Sequence, residues 1–185
     1  MSLAGNKDKI DLRCVKTDKA LNIAMYSLLE KRSFRKITVN DICTAAFISR
    51  AAFYTHYTDK YDFLASWLTR ILPQKVTCDM DYLYIEKIIN KFVLENKAII
   101  KNVVNDADEG TLDIMFRIVL SFLNLTGESD KPGSDPEQII FHNIYVGGII
   151  NYIFWQVKNN FPAKVLPMNR HLYNAIKKCR GIEPE

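Results

Sequence analysis

The chain has 185 residues, of which 48% are hydrophobic and 25% charged, with only 7 Gly and 6 Pro. That is too apolar for a disordered chain and too poor in turn residues for an all-β one. The net charge of +4 is unevenly placed: residues 1–70 hold 12 Lys/Arg against 7 Asp/Glu, or +5, and residues 71–185 hold 13 against 14, or −1.

A basic N-terminal part is what a face that meets phosphates carries, although a solvated face has the same composition. The four cysteines, Cys14, Cys43, Cys78 and Cys179, stand apart with no CxxC and no neighbouring His pair, so they read as reduced thiols. Asn6 to Lys19 is polar and charged, unlike a signal peptide, and the expected location is the cytoplasm, on the nucleoid when bound.

The first helical period is Leu21, Ala24, Met25, Leu28 and Leu29, with Thr17 or Asp18 as its cap and Lys31-Arg32 at its negative pole. A short helix follows, with Val39, Ile42, Cys43 and Ala46 inward. Thr38 caps it, and Asp41 supplies the acidic half of a capping box. After the brief turn Ala46-Phe47-Ile48-Ser49, Ser49 caps a second short helix, with Ile48 and Phe53 spaced as a hydrophobic staple. Thr58-Asp59 opens a longer helix carrying Phe63, Leu64, Trp67, Leu68 and Ile71, which Pro73 stops. Two-turn helices are not stable alone. A packed pair of them, joined by a tight turn, is a helix-turn-helix.

Downstream, Leu83 to Val93 and Ile99 to Val104 mark two more helices, and Gly110 breaks the chain before Leu112 to Phe122. Residues 126–136 are loop-rich. Asp135 and Pro136 then start a long helix that ends near Asn159-Asn160, and a last one runs from about Pro167 to Cys179. The expected fold is all-α with about nine helices. It divides into residues 1–72, an arm and helix-turn-helix with its core at 17–70, and residues 73–185, a helical effector-binding and dimerisation domain. Ile139–Val157 is the most apolar run, but His142, Asn143, Asn151 and Gln156 interrupt it on several faces, which argues for a buried helix and against a membrane span. Gly147-Gly148 weakens that helix by roughly 1 kcal/mol per Gly, as fits a place where another backbone comes close.

In Ser49–Lys60 the outward residues are Arg50, Ala51, Tyr54, Thr55, His56 and Lys60. Small side chains at Ala51 and Ala52 allow close approach to base edges. Arg50 can fork to guanine and Thr55 can touch a thymine methyl. Thr38, Tyr54, His56 and Lys60 suit phosphate oxygens, and the amide end of the helix opening at Thr58 suits the backbone too. Taken singly, His56 reads as a satisfied histidine and Arg50 as a surface charge. Joined at these spacings they read as a DNA-reading set. Lys7, Lys9, Arg13 and Lys16 form either an arm along the groove or a solvated tail.

The run FRKITVNDICTAAFISRAAFYTHYTDKYDFL (34–64) resembles the tetracycline-repressor (TetR) family of bacterial regulators, at Thr38, Ile42, Ala46, Ser49, Tyr54, His56 and Lys60. With the first helix the resemblance covers residues 17–70. The phrase FYTHYTDKYDFL also resembles a branch that includes regulators of dihydroxyacetone kinase. The resemblance implies phosphate contacts at Thr38, Tyr54, His56 and Lys60 and groove residues at Arg50, Ala51, Ala52 and Thr55. It further implies a palindromic operator in double-stranded DNA, a homodimer and a small-molecule effector. The family's dimer interface maps to about 136–159 and 167–180, taking in Gly147, Gly148, Asn151, Tyr152 and Trp155. An effector cavity has Tyr82, Phe92, Phe116, Phe122 and Trp155 as wall candidates, although aromatics at helical spacing are more often core, so no ligand site is assigned.

One departure stands out: the family's turn usually has Gly where this chain has Phe47. Either the turn differs or Phe47 packs well enough to offset the strain. The expected function is a sequence-specific transcriptional regulator, a repressor released by its effector. The alternative is a DNA-binding adaptor whose C-terminal domain takes a protein partner. No nucleophile–base pair, metal cluster or phosphate loop appears, so no enzyme, cofactor or metal is expected.

Overall fold

A computed structural model describes residues 12–73, 82–123 and 136–162. Among these are eight α-helices, one 3-10 turn and no strand. They run α1 (Leu12–Leu29), the turn Phe34–Lys36, α2 (Val39–Ala46), α3 (Arg50–Tyr54), α4 (Lys60–Ile71), α5 (Tyr82–Glu95), α6 (Lys97–Val104), α7 (Glu109–Phe122) and α8 (Pro136–Lys158). The all-helical expectation holds. The helix expected at about 167–179, and the loop before Pro136, lie outside the described residues.

The head is built on side chains that meet from four helices. Leu21 and Met25 of α1, Ile42 of α2, Phe53 of α3 and Phe63 and Trp67 of α4 are all fully buried. Phe53 is the one buried residue of the five-residue α3, and its ring packs edge-on to Phe63 at 5.8 Å. A helix of one and a half turns is unstable alone, so this aromatic anchor holds it. The caps do the rest. Thr38 Oγ1 accepts from the Asp41 amide at 3.1 Å while the Thr38 amide donates to Asp41 Oδ2 at 2.9 Å, completing the box. Ser49 Oγ accepts from the Ala52 amide at 3.1 Å.

Two local expectations change. Asp18 does not cap the first helix, which begins earlier. Mid-helix, it pairs with the Arg70 guanidinium and accepts from the Tyr57 hydroxyl at 3.2 Å, tying α1 to α4. Gly110 does not break the chain either. It lies in the first turn of α7, where a Cβ would stand 3.1 Å from Tyr61 Cε1, so its small size serves close packing of α7 on α4.

Head and body share a joint. The Tyr61 hydroxyl of α4 donates to Asp108 Oδ2 at 2.6 Å, and Asp108 Oδ1 caps α7 by accepting from the Thr111 amide at 3.0 Å. On the other side, Asn102 Nδ2 of α6 donates to the Leu29 carbonyl at the end of α1, at 2.7 Å. In the body, α6, α7 and α8 pack through Ile100, Val103, Ile118, Val146 and Ile149.

Candidate nucleic-acid interface

Most of the residues expected to read DNA are exposed. Thr38, Ser49, Arg50, Ala51, Tyr54, Thr55 and His56 are exposed, whereas Ala52 and Lys60 are half-buried. Arg50 stands at the tip of α3. Its Nη2 donates to the Tyr54 hydroxyl at 3.4 Å and its guanidinium lies 5.8 Å from that ring. The hydroxyl holds the guanidinium's pKa up and leaves most of its donors free.

Other polar groups of the set are already engaged within the chain. The Thr38 hydroxyl donates to Asp41 Oδ2 at 2.7 Å, and the Thr55 hydroxyl donates to the Ala52 carbonyl at 2.7 Å. Thr55 therefore presents its methyl outward more readily than its hydroxyl. Asp41 also meets the Arg32 guanidinium at 3.0 Å. Its carboxyl falls to about 2, first because of the Thr38 hydroxyl and amide, then because of Arg32.

Lys60 parts from its expected role. Its ammonium donates to three backbone carbonyls, Phe34 at 3.3 Å, Arg35 at 3.1 Å and Ile37 at 3.0 Å, and sits 4.7 Å from the Phe34 ring. An ammonium has three N–H donors, so all are used, and burial pulls its pKa down. In this structure Lys60 is a clasp on the 3-10 turn and not a free phosphate donor. The turn it closes carries Arg35 and Lys36, both exposed immediately before the capped start of α2. Sequence reasoning passed over this basic pair. Its signal was two adjacent cations just ahead of a capping box. The amide end of α4 changes role as well, because Asp59 Oδ1 accepts from the Tyr61 and Asp62 amides at 2.8 Å each, leaving them no room for a phosphate.

The turn between α2 and α3 closes in a Schellman arrangement: the Ile48 amide donates to the Cys43 carbonyl at 3.0 Å and the Phe47 amide to the Thr44 carbonyl at 3.2 Å. This geometry needs a left-handed residue, and Phe47 supplies it with φ 55 and ψ 40. The cost at a side-chain-bearing residue is about 1–2 kcal/mol. Of the two possibilities left open, the turn does not depart from the left-handed form, and Phe47 does not pack: its side chain is 95% exposed.

In the body, α8 presents an outward stripe. Ile140, Ile144, Asn151 and Trp155 are exposed, and a Cβ on Gly147 would meet nothing within 4 Å. Gly148 is half-buried. Tyr152 departs from the expected group, being only 4% exposed, because a residue next to Asn151 is turned about 100° around the helix, into the core. An apolar cavity of about 70 Å³ lies between α4, α5, α6, α7 and α8. Of the aromatic wall candidates, Phe92 and Phe122 line it, Phe116 and Trp155 do not, and the Tyr82 side chain lies outside the described residues. The rest of the wall is mainly aliphatic, including Leu68, Val103, Met115 and Ile149. Among the described residues no group of His, Cys, Asp or Glu is placed to hold a metal, and no helix is long and apolar enough to cross a membrane.

A capped helix-turn-helix head on an all-helical body defines the class: a two-part helical protein with a helix-turn-helix head. Residues 24–66 match the family described as bacterial regulatory proteins, tetR family. Over 98 residues the chain is 34% identical to YxbF of Bacillus subtilis (strain 168), an HTH-type transcriptional regulator, across 51% of this chain and 25% of that protein. It thus spans about a quarter of the length of the curated relative it matches. A TetR transcriptional regulator from Streptococcus agalactiae 2603V superposes with TM-score 0.58 at 20% identity, covering 97% of this chain and 100% of that one. The dihydroxyacetone kinase operon activator DhaS gives 0.53 at 16% identity, covering 92% and 99%. At these identities the two structures speak to the fold alone. The head is thus similar to that of the tetR family over residues 24–66, and the fold as a whole is shared with TetR-type structures.

Proposed function

We propose that the protein binds a palindromic operator as a homodimer, through α3, and represses transcription until a small molecule releases it. One observation carries the DNA-reading part: Phe53 and the Ser49 cap fix α3 from behind while Arg50, Ala51, Tyr54 and Thr55 remain exposed. A rigidly mounted outward row with a forked cation at its tip is suited to base edges. Ser49, Ala52 and His56 complete the contact surface, and Arg35 and Lys36 add charge toward the phosphates. The outward stripe of α8 supports the dimer, with Gly147, Gly148, Asn151 and Trp155 at the contact. Two symmetric heads then address half-sites about one DNA turn (~34–36 Å) apart.

The cavity supports the effector reading. Its walls carry only apolar side chains, so it selects a small uncharged molecule, since an unpaired charge is costly there. Leu68 and Leu72 at the far end of α4 line it, while Tyr61 at the near end is joined to α7. A ligand that displaces one end of this 12-residue helix tilts the head at the other. The tilt biases the population away from the DNA-competent state.

The small size of the cavity favours a second reading, in which the body receives a protein partner. The activator DhaS, which shares the fold, adds activation as the opposite sign of control. Selection of bound duplexes from random DNA, followed by anisotropy titrations across ionic strength, tests the proposal. A selected palindrome bound with steep salt dependence is expected. Equal, salt-insensitive affinity for every duplex would rule it out.

A further inference from the structure

Phe47 and Phe161 are two phenylalanines held in the left-handed region, with φ 55 and φ 53. Phe161 is 8% exposed, with Lys97 Nζ 5.7 Å above its ring, so packing offsets its backbone strain. Phe47 is 95% exposed, and nothing among the described residues packs on it to offset its strain. A bulky residue in this region is a true outlier, and such outliers gather where function needs them. Glycine would satisfy the same turn without strain. A large apolar ring is therefore displayed in water at a backbone position that disfavours any side chain.

The location narrows what the ring meets. Phe47 stands two residues before the Ser49 cap and three before Arg50, on the turn that delivers α3. Thr44, Ala45, Phe47, Ser49, Arg50 and Ala51 make an exposed, nearly unbroken run through the turn.

We infer that Phe47 is a DNA-contacting residue that reads a thymine methyl in the major groove, beside the base contacted by Arg50. A phenyl ring has no donor or acceptor. In the major groove the apolar feature that differs between base pairs is the thymine 5-methyl, and Phe is a side chain that recognises it. Burial of the ring against that methyl removes from water the apolar surface that the free protein leaves exposed. This inference rests on the reading that the α3 face docks in the groove.

The test uses the full chain and the duplex that the wild-type protein selects from a random pool. F47G is the working variant, because glycine is suited to the turn. Its melting midpoint is expected to equal or exceed that of the wild type, while its affinity for the selected duplex falls about tenfold. Each thymine is then replaced in turn by uracil, which removes only the methyl. At one thymine per half-site the wild type is expected to lose roughly three- to tenfold in affinity, and F47G to lose nothing further. Equal affinity of F47G and the wild type, or identical uracil profiles, would overturn the inference while the DNA-binding reading stands. A lower melting midpoint for F47G would also overturn it, since the ring would then be stabilising the free fold. Failure of the wild type to select any duplex would overturn both.

Discussion

At the scale of single residues, the head separates cations that face outward from one that has turned in. Arg50 is solvated, and its guanidinium donates to the Tyr54 hydroxyl. Arg50→Ala is therefore expected to leave folding intact, to weaken operator binding by about 1–3 kcal/mol and to relax the preference at one base pair. Lys60→Ala acts differently, because it removes three donors from the carbonyls of Phe34, Arg35 and Ile37. Chemical denaturation should show it less stable by about 1–3 kcal/mol. Lys36→Ala should leave stability unchanged and reduce the slope of log affinity against log salt by about 1. Titrations at several ionic strengths, run beside melting curves, separate the three. A stable Lys60→Ala protein with a flattened salt slope would restore the phosphate role that its spacing suggested. Its type and position were legible in the chain, but its direction depends on carbonyls 23 to 26 residues away.

Among the elements, the joint between α4 and α7 has the clearest consequence. Tyr61→Phe removes the hydroxyl from Asp108 and should cost about 1–2 kcal/mol, read from urea unfolding. This joint and the α2 capping box together give the protein an acid limit. Asp41 and Asp108 both sit at about 2, against an ordinary 3.8, held there first by the Thr38 and Tyr61 hydroxyls respectively. A carboxyl lowered in the folded state adds stability above its unfolded value, and that contribution disappears as pH falls through the folded one. Unfolding midpoints should accordingly hold steady down to about pH 4.5 and drop between there and pH 2. Asp108→Asn should be less stable at neutral pH and decline less steeply. An equally steep decline would move the acid sensitivity elsewhere. Gly110 belongs at this scale too. Read along the chain it looks like a breaker, yet the ring of a residue 49 positions earlier is what requires it to be small.

For the whole molecule, the two proposed assemblies make separable predictions. The open space outside Gly147 means that Gly147→Leu should fit the subunit and raise its helix stability by up to about 1 kcal/mol. In the proposed dimer the same side chain faces the partner, so sedimentation should show a shift to monomer and a steep loss of operator affinity. A dimer unaffected by this change would place the contact on another face. An apolar ligand small enough for the cavity should raise the melting temperature and weaken operator binding, whereas a charged analogue of equal size should do neither.

Periodicity, caps and breakers act over three or four residues, and so the all-helical class, the Thr38–Asp41 box, the Ser49 cap and the end near Asn159 were readable in the linear chain. The burial of Phe53 followed too, because a short helix needs an anchor. The inward turn of Lys60, the pairing of Asp18 with Arg70, the reason for Gly110 and the aliphatic cavity emerged only on packing. Each of these is set by contacts between groups far apart along the backbone. A local pattern records which side of a helix is apolar, and the neighbour that meets that side is chosen by the fold.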